Sequence, residues 1–163
     1  MKILLVGMAV LFAGWVLVGC GGGGGNSSNS ILSQGNGEIT SSDMLLVSGA
    51  YGDTIRFTAK HNGWVCVEMT STAIDALLGV WSGDTDTVTA DNFIGSDDNS
   101  GGNLNARFNF TAQAGNVYSV RLTTTVPDEF GSYAWKVYEV DAPVPSAFSH
   151  NLLPWQPFAP AMQ

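Results

Sequence analysis

From about Ile39 onward, apolar and polar residues alternate with a period of two, the repeat of a strand that buries one face. In DTIRFTA, Ile55, Phe57 and Ala59 share one side and Thr54, Arg56 and Thr58 the other. LNARFNFTA sets Leu104, Ala106, Phe108 and Phe110 against Asn105, Arg107 and Asn109. VYSVRLT sets Tyr118, Val120 and Leu122 against Ser119, Arg121 and Thr123. YAWKVYEV sets Tyr133, Trp135 and Val137 against Ala134, Lys136 and Tyr138. Turn residues punctuate the runs, with HNG before Trp64–Met69, AGN before Val117 and DEFGS before Tyr133. The least regular run, TSTAIDALLGVW, reads as a strand over Ala76–Trp81 because it is short and turn-flanked. The pattern predicts an all-β domain over residues 38–141, a single antiparallel β-sandwich of jelly-roll type with seven or eight strands.

The two ends break this pattern in different ways. MKILLVGMAVLFAGWVLVGC begins with one base, Lys2, and continues as an apolar run from Ile3 to Val18. That run is short for a membrane-spanning helix and suits a secretory signal peptide over residues 1–19. Its LVGC ending resembles the bacterial lipobox, which implies that Cys20 becomes a lipidated N-terminus and ties the protein to a membrane. Gly21 follows where retention signals in enterobacterial lipoproteins place Asp, so an outer-membrane destination is favoured within the cell envelope. Residues 20–37, opening GGGGGNSSNS after the cysteine, carry little that could form a core and read as a tether. The last segment, 142–163, holds all but one of the six prolines together with Leu152, Leu153, Trp155 and Phe158. It either packs on its own domain or is offered to a partner as an extended peptide.

Charge narrows the partners. Fourteen acidic residues all follow Cys20, against five lysines and arginines in the same stretch. Such a surface repels nucleic acid and anionic headgroups. Once Cys20 is acylated, Cys66 is the lone thiol, so no internal disulfide forms, and the strand-like WVCVEM suits an inert, buried cysteine.

One ordered set of motifs goes further. IDALLGVWSG is followed by FIGSDDNSGGNLNARFNFTAQAGNVYSVRLTTT and then GSYAWKVYEV. The series resembles the bacterial pre-peptidase C-terminal domain through Asp75, Leu78, Asp97, Asp98, Asn99 and Phe108, then Ala114, Gly115, Tyr118, Gly131 and Tyr133. The resemblance implies a small jelly-roll sandwich of the kind appended to secreted peptidases, where it assists secretion, folding or substrate attachment. Related collagenase domains bind calcium and collagen. Here the module is expected to stand alone on a lipid anchor, without the enzyme that the resemblance would place beside it.

The acidic stretch GDTDTVTADNFIGSDDNSGGN supplies the hard oxygens that calcium prefers. The resemblance singles out Asp75, Asp97, Asp98 and Asn99 as candidate ligands and Ca2+ as the one candidate cofactor. The alternative is a pair of polar turns in which Asp and Asn serve backbone geometry. No metal-protease, serine-hydrolase or cysteine-pair motif occurs, so the chain reads as non-catalytic. Trp64 and Trp81 are candidate ligand-binding residues that could stack on sugar rings, although a two-sided core accommodates them equally. These observations point to a lipid-anchored envelope protein displaying a binding or accessory module for a protein or polysaccharide. The alternative is an assembly lipoprotein that docks an envelope partner through its proline-rich tail.

Overall fold

A computed structural model of the chain describes residues 29–46, 48–84 and 89–144. The signal peptide, Cys20, Asp86 and the tail beyond Val144 lie outside the described residues. Among the described residues there are nine strands: β1 (Ile31–Ile39), β2 (Met44–Leu45), β3 (Tyr51–Thr58), β4 (Gly63–Thr70), β5 (Ala76–Ser82), β6 (Phe93–Asp97), β7 (Ala106–Ala112), β8 (Val117–Thr124) and β9 (Gly131–Val140). They form two antiparallel sheets, one ordered β1-β9-β4-β7 and the other β2-β3-β8-β5-β6.

The pairing is nested. β5 pairs with β6, β4 with β7, β3 with β8 and β1 with β9, so the chain is one long hairpin whose tip is β5–β6. Two further pairings, β4 with β9 and β5 with β8, close each sheet after the hairpin is rolled. This is the jelly-roll arrangement that the alternation predicts.

The inward faces fill the space between the sheets. Val65, Val67 and Met69 of β4 and Val137 of β9 meet Leu78 and Val80 of β5 and Val120 and Leu122 of β8. Phe57, Phe110 and Tyr118 form a ring cluster with centroids 5.1 to 6.3 Å apart. Such aromatic pairs contribute beyond the area they bury.

Several positions depart from the sequence reading. Residues 31–37, assigned to the tether by composition, form most of β1. This strand carries glycines where its neighbour β9 carries rings. A Cβ at Gly35 would lie 2.9 Å from the Trp135 indole, and one at Gly37 would overlap the Tyr133 ring. The missing side chains let both rings lie across the sandwich edge. FIGSD, read as part of an acidic loop, contains β6. Leu104, expected inward, is 53% exposed, because β7 starts only at Ala106 and Asn103 turns the preceding loop with a left-handed φ of 55°. Ser119, Arg121 and Thr123, expected outward and solvated, are buried on the outer face of the central strand β8. Tyr138 is also buried, on the outer face of β9 opposite Cys66.

The topology gives the sandwich two unlike poles. At the near pole β1 begins and β9 ends, and the 59–62 and 113–116 turns lie there. At the far pole β1 ends and β9 begins, and the loops 40–50, 71–75, 98–105 and 125–130 gather.

Candidate functional site

The four candidate ligand residues all reach the far pole, because Asp75 precedes β5 and Asp97 ends its partner β6. Asp97 is committed to backbone. Its Oδ1 accepts the N–H groups of Ser100 at 2.9 Å and Arg107 at 2.7 Å, which pins both ends of the 98–106 loop. Within that loop Gly102 N–H donates to the Asn99 carbonyl, and Gly101 N–H to that of Asn105. Asn105 Oδ1 accepts the Ser71 N–H at 2.8 Å and joins the loop to the 71–75 turn.

Asp75 is held by a different loop. The Thr125 hydroxyl donates to its Oδ2 at 2.6 Å, and the Thr125 N–H donates to its carbonyl. The Asp75 N–H donates to Oε2 of Glu129, which also accepts the Thr124 hydroxyl. Asp75 Oδ1 is buried without a hydrogen-bond partner in the structure. Among the described residues no three His, Cys, Asp or Glu side chains converge as a metal cage would require. The far pole therefore collects the four residues without drawing their side chains together. Sequence reasoning missed Glu129, since only the rolled hairpin brings the β8–β9 loop beside Asp75.

Tyr133 links the two sheets at this pole by donating its hydroxyl to Asp53 Oδ2 at 2.5 Å. Burial raises the phenol above its ordinary value, and the bond to the Asp53 carboxylate raises it further.

The outer face of the β1-β9-β4-β7 sheet carries the second cluster. Glu68 Oε1 accepts Arg107 Nε at 2.8 Å and the Tyr138 hydroxyl at 2.9 Å. Lys136 Nζ sits 4.7 Å from the centre of the Tyr138 ring. Burial pushes the Cys66 thiol up to about 11, although its hydrogen bond to Tyr138 pulls the other way. A thiol so placed is mostly protonated at neutral pH, which agrees with inert packing. Asn109 closes this face from the β7 side. Its side-chain amide donates to the Val144 carbonyl at 3.0 Å, and its Oδ1 accepts the Val144 N–H at 3.3 Å. The start of the tail thus lies across the sheet.

The two tryptophans differ. Both point away from the main core, but Trp81 is only 2% exposed and packs against Phe93 with centroids 5.2 Å apart. A Cβ at Gly79 would collide with its indole, so the ring covers that glycine. Trp81 therefore offers no free face for a sugar, a correction to the sequence expectation. Trp64 is half-buried and lines a near-pole cleft of about 370 Å³ with His61, Asn62, Glu139 and Asp141. Glu139 accepts the Lys60 and His61 N–H groups and His61 Nδ1 at 2.8 to 3.1 Å. Burial pushes the Glu139 carboxyl up, but His61 and these N–H groups together hold it below its ordinary value. Among the described residues no helix is long and apolar enough to cross a membrane.

No protein-family model matches the chain, and no curated protein does. Two solved structures are similar at 13% identity. One is the pre-peptidase C-terminal domain of a collagenase from Bacillus anthracis, with a TM-score of 0.47 over 66% of this chain and 90% of that one. The other is PliG of Aeromonas hydrophila, a periplasmic inhibitor of g-type lysozyme, with a TM-score of 0.46 over 67% of this chain and 86% of that one.

Proposed function

We propose that this chain is a non-catalytic, lipid-anchored protein of the cell envelope that displays its β-sandwich as a binding or accessory module for a protein or polysaccharide. The observation that carries the reading is the polarity of the sandwich. β1 begins at the near pole, so a chain held upstream of Ile31 turns the far-pole loops away from its attachment point. Anchoring through Cys20 and an outer-membrane location rest on the LVGC motif and on Gly21. The pre-peptidase C-terminal resemblance adds the accessory role.

Calcium belongs to the proposal as an ion that orders the far-pole loops. The formed side-chain arrangement does not itself make a cage, and the support is the orphaned Asp75 Oδ1 at the same pole as the Asp98–Asn99 turn. A second reading, docking through residues 142–163, draws support from the Asn109–Val144 pair, which holds the start of that segment against β7.

Metabolic labelling with an alkyne fatty acid in a bacterial host tests the anchor. The full chain is expected to carry label and sediment with membranes, and Cys20→Ala to lose both. Label that persists in Cys20→Ala, or is absent from the unaltered chain, overturns the anchored reading.

A further inference from the structure

We infer that the far pole docks a polypeptide segment that is both apolar and basic, through a patch built from Leu45, Tyr51, Val126, Pro127 and Phe130. The inference rests on the binding-module reading and names its partner class. Five of the seven large apolar side chains exposed among the described residues lie at this pole: Met44, Leu45, Leu104, Val126 and Phe130. Leu45 and Phe130 join one surface, and Val126 lies on the same loop as Phe130. Leu45 pairs with Tyr51, whose ring lies 5.5 Å from that of Phe130. A Cβ at Gly49 would touch Pro127 at 3.6 Å, so the β2–β3 turn and the β8–β9 loop abut. Backbone bonds from Leu46 to Ala50 and from Gly49 to Leu46 shape the first loop, and Val126 N–H donates to Thr124 Oγ1 in the second. The patch is preformed, which lowers the ordering cost of a partner.

Charge decides what covers it. The far-pole stretches 38–55, 69–76, 97–106 and 123–135 contain eight of the fourteen acidic residues, and Arg107, which borders them, is already paired with Glu68. Their carboxylates meet neutral donors instead. Asp43 accepts Thr40, Asp53 accepts Tyr133, and Glu129 accepts the Asp75 N–H and Thr124. None of these bonds cancels charge, so the rim of the patch stays negative. Anionic lipid and nucleic acid are repelled. A polysaccharide gains little from Leu45 and Val126, which offer no hydrogen bonds. A segment with apolar side chains flanked by lysine or arginine satisfies both the apolar centre and the acidic rim. β1 begins and β9 ends at the opposite pole.

The test uses the purified full chain and a labelled peptide of alternating leucine and lysine, with serine–lysine and leucine–glutamate peptides as comparisons. Fluorescence anisotropy is expected to show binding of the leucine–lysine peptide alone, weakened by salt. Leu45→Ser, an exposed position, should raise Kd about tenfold. Asp128→Asn keeps the left-handed φ of 56° that asparagine tolerates, and should flatten the salt dependence. Ile94→Ser, away from the patch, should leave Kd unchanged. Equal binding of the serine–lysine peptide, an unchanged Kd in Leu45→Ser, or no binding of the leucine–lysine peptide overturns the inference. Those outcomes leave the anchored-module reading standing, since fatty-acid labelling decides that reading independently.

Discussion

Cys66 shows how a single side chain can report on the packing around it. Its thiol sits under Tyr138 on the outer face of a sheet, where a strand residue would ordinarily meet water. Because burial raises the thiol from its ordinary 9.0 to about 11, the neutral form is favoured by folding. That contribution is complete below pH 9 and disappears as pH rises through 11, since the unfolded thiol ionises first. Urea denaturation should show about 2 kcal/mol less stability at pH 11 than at pH 9 from this group. Cys66→Ala should lose that part of the decline, while the part due to the raised Tyr133 and Tyr138 phenols remains. An identical decline in the variant would mean that the thiol is already exposed in the folded protein.

Among the elements, the loop closed by Asp97 separates a structural carboxylate from a ligating one. Asp97→Ala removes the acceptor of two backbone N–H groups and should cost about 1–3 kcal/mol even in chelator. Asp97→Asn retains Oδ1 and should cost much less. Asp98 enters no hydrogen bond described above, so Asp98→Ala should leave stability in chelator unchanged. If calcium binds at this pole, saturation at 100 times Kd adds about 2.7 kcal/mol, and Asp98→Ala should remove that increment. A chelator-independent melt in the unaltered chain would leave these residues as turn formers. The strands β3, β4, β5, β7, β8 and β9 were legible because their inward residues are large and regularly spaced. β1 was not, since its inward positions include Gly35 and Gly37 and its strand identity depends on the rings of β9. β2 is two residues long, and β6 was masked by the acidic residues around it. The gathering of Asp75, Asp97, Asp98 and Asn99 at one end was legible from motif order. The contribution of Glu129, Val126 and Phe130 was not, because it comes from a loop distant in sequence. No local pattern could mark Trp81 as covered, since the cover comes from Phe93 on another strand.

For the whole molecule, the opposition of the two poles separates the two binding readings. The tail leaves at the near pole and is tied to Asn109 at Val144, whereas the apolar patch lies at the far pole. Deleting residues 142–163 should therefore leave the peptide affinity of the far pole within twofold of the full chain, while abolishing any partner capture that depends on the tail. Loss of peptide binding on deletion would place the tail in the same surface as the patch.

The nested hairpin also dictates the order in which the molecule can come into being. Ile31 pairs with Tyr138, so the first strand made has no partner until the last has been delivered. β5 and β6 are close neighbours in sequence and can zip early, but each outer pair must wait for a longer loop to close. A chain threaded through a membrane pore from its N-terminus would thus remain pliant until β9 emerged. Completion of transport, rather than its start, would trigger the collapse into a sandwich.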